Sequence, residues 1–173
     1  MYKRQAHLGK EHVAIGKESA VAMWDIRRKL GRNPYFKKQA DGSLRHTTQI
    51  LGDWGVDFLK EQSNDQPFCL QISFNATHAE DRDKRPGAGH FPWPRVMDGL
   101  YDDQEMPLPA LNRTDIYDSQ PAFLKNSLNR ERFFWRWDTA EKYQINMRAY
   151  FRMLSGIDHV LSLIHISEPT RLL

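Results

Sequence analysis

Residues 46–74, HTTQILGDWGVDFLKEQSNDQPFCLQISF, hold two patterns in close succession. Over 46–62, Leu51, Trp54, Phe58 and Gln62 share one face of a 3.6-residue repeat, with Ile50 and Leu59 alongside. That spacing predicts an amphipathic helix. Over 67–74, PFCLQISF is short and nearly continuous in apolar residues. Such a run predicts a strand covered on both faces. Helix, short loop and buried strand in that order predict an α/β fold with a mostly parallel sheet.

Working outward, AHLGKEHVAIG (6–16) reads as the end of a strand running into a loop. Residues 24–45 read as irregular and polar, with turn signals at Asn33-Pro34 and Asp41-Gly42. From Asn75 to about Gln120 the chain reads as one long loop segment, and six of the nine prolines fall between Pro86 and Pro121. A segment of that length inside a domain is usually functional or an insertion. A last helix is predicted from Asp138, which with Glu141 has the spacing of a capping box. Tyr143, Met147, Tyr150, Leu154 and Ile157 continue it at helical period.

Composition narrows the class. At 173 residues and 40% hydrophobic the chain has material for one domain with a core. Its single cysteine, Cys69, excludes an internal disulfide and reads as a small buried hydrophobe. No apolar run approaches the roughly 18 residues of a membrane span. The charge of +3 comes from 25 basic and 22 acidic residues; setting aside Lys3, Arg4, Arg171 and Glu168 leaves 22 against 21. That balance, without a basic stripe, gives no reason to expect nucleic acid as a partner.

Those four residues are set aside because the ends are a matched pair at the DNA level. YKRQ (2–5) can be written TAT AAG AGA CAG, whose reverse complement CTG TCT CTT ATA encodes LSLI, residues 161–164. The longer run LSLIHISEPTR resembles the translated mosaic-end adapter of transposon-made sequencing libraries. Residues 1–5 and 161–173 are therefore expected to be adapter-derived, and 6–160 to be part of a larger domain.

Three polar residues stand at the ends of apolar runs: Lys10 and His12 after AHLG, and His78 after PFCLQISF. In a parallel α/β sheet, ligands bind beyond the carboxyl ends of the strands, so all three are expected at one crevice. An ammonium and two imidazoles suit an anion, and a histidine can protonate a departing oxygen near neutral pH. By spacing alone, Lys-x-His is ordinary surface sequence, and a histidine after a strand is ordinarily a satisfied loop residue.

GKEHV resembles the Gly-Lys-x-His signature of the type I sulfatases, in the alkaline phosphatase-like superfamily. The order of the remaining pieces is similar too: a helix like TTQILGDWGVDFLKEQ, a strand like QPFCLQISF, then a histidine. Next come an acidic, proline-containing stretch like LYDDQEMPLP, a PAFLKNS-like piece, and a helix like EKYQINMRAYFRMLSGIDHV. The resemblance covers nearly all of 6–160. It implies part of a three-layer sandwich belonging to a sulfuric ester hydrolase that acts on sulfated small molecules or sulfated glycans. It implies calcium and a formylglycine nucleophile, both held by residues outside this sequence, and a periplasmic or secreted setting. By carry-over, Lys10 binds the sulfate and steadies the nucleophile. His12 holds the formylglycine hydrate and assists sulfate release, and His78 contacts the sulfate and the departing alkoxide. Substrate binding thus falls to Lys10 and His78, catalysis to Lys10, His12 and His78, and no metal ligand to this sequence.

Two positions depart from the pattern. Glu11 stands where the family commonly has tryptophan, and Thr77 where it has proline. No Cys/Ser-x-Pro-Ser/Ala-Arg motif occurs, so the chain by itself is expected to be inactive. Two alternatives remain open: a phosphonate or phosphate ester hydrolase of the same superfamily, and a non-catalytic relative that binds sulfated glycans.

Other residues carry blander readings. Lys17 is a second Gly-Lys without the histidine. His46 reads as a helix cap or surface contact. Asp25 and Asp53 lack partners at metal-ligand spacing, and His7 and His12 are spaced wrongly for a zinc pair. Phe133–Trp137 reads as packing ahead of a sugar-stacking platform. Asn75 and Asn112 begin glycosylation sequons, which match commonly by chance.

Overall fold

Side chains alternate across a strand, and Ala6 and Leu8 accordingly point one way while His7 points the other. They lie on β1 (Arg4–Gly9), the centre of a three-stranded sheet. The computed structural model describes residues 3–12, 14–63, 65–82, 90–111 and 113–167. β1 pairs in parallel with β2 (Ile26–Lys29) on one side and β5 (Phe68–Ser73) on the other. A short helix, α1 (Lys17–Met23), joins β1 to β2. An antiparallel pair, β3 (Phe36–Lys38) and β4 (Leu44–His46), and then α2 (Thr47–Lys60) lead to β5. The fold is α/β with a parallel sheet, as the pattern at 46–74 predicts.

α2 begins where it does because His46 caps it. The imidazole Nδ1 accepts from the Thr48 amide (3.2 Å), and the Gln49 side chain accepts from the His46 amide (3.3 Å). Two otherwise orphaned donors are thereby satisfied. The buried face of α2 carries Leu51, Gly55, Phe58 and Leu59, closed by the buried amide of Gln62, while Trp54 is half-buried under Arg28. Ala6, Phe58, Leu59, Val160 and Ile164 form the core on this side of the sheet. Full burial of each large aliphatic or aromatic side chain stabilises by about 1.5–3 kcal/mol.

Beyond β5 the chain passes through a 3-10 turn at Arg95–Met97 and the short helices α3 (Thr114–Asp118), α4 (Ala122–Lys125) and α5 (Leu128–Arg136). It ends in the long α6 (Ala140–Ser167), which packs along α2. A second core of Tyr35, Ala79, Phe91, Ala149 and Met153 lies between α6 and the loop after β5. No helix among the described residues is long and apolar enough to cross a membrane.

Several expectations are corrected. Residues 24–45 are not irregular: they contain β2, β3 and β4. The basic side chains of IRRK hide β2, and their charges are answered by partners distant in sequence. β5 is not covered on both faces. Phe68, Leu70 and Ile72 face the core while Cys69 and Gln71 are exposed, so Cys69 is not a buried hydrophobe. An alternating pattern read as a continuous one accounts for the error. At the head of α6 the Thr139 hydroxyl, not Asp138, accepts from the Lys142 amide (3.2 Å), and Asp138 pairs with the Lys142 ammonium (2.8 Å). The adapter origin expected for the ends is a matter of the DNA and is not among these corrections; elements simply run through both boundaries of the 6–160 window. β1 starts at Arg4, and α6 runs to Ser167 with Ile164 buried one turn past Val160.

Candidate functional site

Three parallel strands end along one edge of the sheet, and the loops leaving them enclose a cleft of about 450 Å³. Gly9, Lys10, Glu11 and His12 come from β1; Lys29, Leu30, Arg32 and Asn33 from β2; Asn75, His78 and Arg82 from β5. The carboxyl edge of such a sheet is the usual place for a ligand. Lys10, His12 and His78, predicted from far-apart stretches, therefore line one cleft.

Gly9 makes this junction possible. Its φ of +113° suits glycine, and a Cβ there would stand 2.2 Å from the Ser73 carbonyl oxygen. Around it, the Lys10 amide donates to Ser73 O (2.9 Å) and the Leu30 amide donates to Gly9 O (3.1 Å). One residue thus ties the ends of all three strands together. Asn75 adds a second tie. It is buried and donates from Nδ2 to Leu30 O (3.1 Å), which also removes it as a glycosylation site. Asn112 lies outside the described residues.

The electrostatics favour an anion. Among the described residues, the side chains of Lys10, His12 and Arg82 have no hydrogen-bond or ion-pair partner. Glu11 is the sole carboxylate among the described lining residues, and its charge is already answered. Arg27 donates from Nε and Nη2 (both 2.5 Å), and the Lys29 ammonium lies 2.7 Å away. These hydrogen bonds hold the Glu11 carboxyl at about 2, well below its usual 4.5. His7 Nδ1 stands 3.3 Å from the same carboxylate without hydrogen-bond alignment, and His7 Nε2 meets Ser73 Oγ at 3.2 Å. Glu11 thus fastens the loop that presents Lys10 and His12 to the β2 strand.

His78 is held from behind. Arg32 Nη1 donates to His78 Nδ1 and to Ala79 O (2.9 Å), Arg32 Nε donates to Asn33 Oδ1 (3.1 Å), and Arg32 Nη2 lies 3.7 Å from Asp81. Asp81 is fixed in turn by Arg136 Nη2 (2.6 Å) and Arg132 (3.5 Å), and Arg136 Nε donates to His90 Nδ1 (2.9 Å). The Tyr35 hydroxyl lies against the carbonyls of Asn75 (2.9 Å) and His78, and burial pushes its phenol pKa up.

The remaining candidates fall elsewhere. Lys17 opens α1 and is exposed. His46 is fully buried rather than a surface residue; Nε2 donates to Pro92 O (3.1 Å), and burial pushes its pKa down to about 4. Asp25 accepts from the Gln5 amide (2.7 Å), and Asp53 pairs with Arg45 (2.6 Å). Trp137 packs on Phe91, and Phe133 and Trp137 line a separate apolar hollow with Tyr143. Sequence reasoning missed Glu11 as an anchor and Arg32, Arg82 and Asn75 as lining residues. Recognition of β2 would have marked Arg32, which follows it by three positions.

Calcium, implied by the family resemblance, does not fit these residues. Among the described residues no three His, Cys, Asp or Glu side chains converge to hold a metal ion, and Glu11 is spoken for. No chemical step is therefore assigned to a metal here.

The fold and cleft define an α/β unit with a cleft rich in basic side chains at the carboxyl edge of a parallel sheet. No protein-family model and no curated protein matches the sequence. Among solved structures, the chain is similar to BT4656 in complex with its substrate D-glucosamine-2-N,6-O-disulfate. The TM-score is 0.57 at 16% identity, over 95% of this chain and 44% of that one. The likeness establishes the fold, and the chain spans less than half the length of the structure it matches.

Proposed function

We propose that this cleft is the sulfate-binding part of a sulfuric ester hydrolase of the type I sulfatase kind, acting on a sulfated small molecule or sulfated glycan. The observation that carries the reading is the convergence of Lys10, His12 and His78 on one cleft where the Lys10 ammonium has no countercharge. An unpaired ammonium in a partly enclosed site strengthens its attraction for an anion. The fold shared with a protein whose substrate is a disulfated glucosamine supports sulfate over other anions.

In this reading Lys10 grips a sulfate oxygen. His78 donates a proton toward the oxygen that leaves with the sugar or alcohol, and His12 assists release of the sulfate. Such donors act where negative charge develops in the transition state. A formylglycine, contributed by residues outside this sequence, would supply the nucleophile, so the 173-residue chain binds without turnover. Calcium, on the same reading, is likewise held by residues outside this sequence.

The test is a calorimetric titration of the chain with glucosamine 6-sulfate and with inorganic sulfate. Lys10→Ala is expected to weaken binding by roughly tenfold or more, the loss of one charge-assisted hydrogen bond. Unchanged binding in both Lys10→Ala and His78→Ala would remove the cleft from consideration. A clear preference for phosphate would move the reading to a phosphate ester hydrolase, and aryl sulfate turnover by the isolated chain would overturn its inactivity.

A further inference from the structure

We infer that Arg32 is a positioning residue that selects the proton-donating tautomer of His78. A neutral imidazole carries one proton, and the partner of one ring nitrogen decides which nitrogen holds it. Within hydrogen-bond reach, His78 Nδ1 meets two groups with opposite demands, while the Asp81 carboxylate stands farther off at 3.9 Å and is taken up by Arg136 and Arg132. The Arg32 guanidinium has only protons to give, while the Ala79 carbonyl, 2.9 Å away, can only accept. The conflict resolves in favour of Arg32. Its Nη1 also donates to Ala79 O (2.9 Å), so the carbonyl is satisfied without a proton from the ring. Nδ1 is then the acceptor, and the proton sits on Nε2, which has no protein partner among the described residues.

Arg32 is well placed to hold this state. Asn33 accepts from its Nε, Ala79 O from its Nη1, and Asp81 stands 3.7 Å from its Nη2. Asp81 is itself anchored to Arg136, a side chain only 8% exposed on α5. A guanidinium fixed at three points gives the imidazole one arrangement, whereas a flexible donor would let both tautomers populate. For the sulfate-ester reading, on which this consequence rests, His78 presents an N–H to the cleft rather than a lone pair. It can therefore hydrogen-bond an ester oxygen before any proton moves.

With Arg32 removed, Ala79 O loses its donor and Nδ1 becomes the nearest group able to supply one. The His78 proton should move from Nε2 to Nδ1. Long-range ¹H–¹⁵N correlation spectra of the ¹⁵N-labelled 173-residue chain read this directly, at about pH 8.5 where an imidazole of ordinary pKa near 6.5 is neutral. The His78 signals are assigned by their loss in His78→Gln. Expected are the Nε2–H pattern in the wild type, Nδ1–H in Arg32→Ala, and at least partial return of Nε2–H in Arg32→Lys, which restores a donor. The same tautomer in wild type and Arg32→Ala would overturn the inference, as would Nδ1–H in the wild type. If Arg32→Ala fails to fold, the wild type and Arg32→Lys decide: Nε2–H in the wild type, kept at least in part in Arg32→Lys, supports the assignment, and Nδ1–H in the wild type or Nδ1–H alone in Arg32→Lys removes it. Adding inorganic sulfate to the same samples separates the two readings. Signals of Lys10 and His78 that do not move argue against sulfate binding and leave the tautomer assignment standing.

Discussion

The Gly9 α-carbon lies so close to Ser73 that a methyl group on it would stand 2.2 Å from the Ser73 carbonyl oxygen. That oxygen is already the acceptor for the Lys10 amide. The close approach of β1 and β5 at their carboxyl ends therefore depends on a residue without a side chain. Gly9→Ala combines a disfavoured φ with a backbone clash that no rotamer relieves. Each effect costs about 1–3 kcal/mol. Urea unfolding should show a loss of roughly 3 kcal/mol or more, together with loss of anion binding. A variant as stable as the wild type would mean that the strands do not meet this closely.

Glu11 couples the same loop to β2 through Arg27 and Lys29. Its folded-state pKa is about 2 against an ordinary 4.5. The unfolded chain thus binds the proton more readily, and the contribution of this carboxylate is present above about pH 4.5 and fades as pH falls toward 2. Urea midpoints of the wild type and Glu11→Gln should differ at neutral pH and converge as pH approaches 2. A gap of constant size across that range would show that the carboxylate charge is not what fastens the loop.

These two positions also mark how far the sequence could be read. Lys10, His12 and His78 are recognisable because parallel strands share a carboxyl edge, so residues after two separate apolar runs must approach one another. α2 is recognisable from Leu51, Phe58 and Leu59 at helical spacing. β2 is not, because Arg27, Arg28 and Lys29 make IRRK look like solvent-exposed loop. Only the fold reveals that Arg27 and Lys29 meet Glu11 and that Arg28 lies over Trp54. With β2 hidden, the loop bearing Arg32 had no assigned place. Cys69 was misjudged for a different reason. A strand with apolar residues on one face and Cys, Gln and Ser on the other has a period of two, and hydrophobicity counted along the chain blurs it.

His46 links α2 to the loop at Pro92 and is fully buried. Burial lowers its pKa from 6.5 to about 4. Between those values the unfolded chain binds a proton that the folded chain refuses, so stability is full above about pH 6.5 and declines as pH falls to about 4. At roughly 1.4 kcal/mol per pKa unit the decline approaches 3 kcal/mol. Urea unfolding from pH 7 to pH 4 should show this slope, and His46→Asn, which keeps a capping acceptor without a titrating ring, should flatten it. An equal slope in both proteins would assign the pH dependence to other groups.

The packing of α2 on α6 sets the last prediction, because two effects of one methyl group oppose each other there. In an exposed helix interior, glycine to alanine is favourable by about 1 kcal/mol. At Gly52 the added Cβ would stand 2.4 Å from Val160 Cγ1. Val160 is 3% exposed and β-branched, so its χ1 is restricted and the methyl has little room to yield. Overpacking of this kind costs about 1–3 kcal/mol, and the clash should outweigh the propensity gain. Gly52→Ala is therefore expected to lower stability, with the loss partly recovered when Val160→Ala is added. A coupling of about 0.5–3 kcal/mol in the double-mutant cycle would identify the contact as the cause. A stabilised Gly52→Ala would instead mean that the two helices lie farther apart than this interface requires.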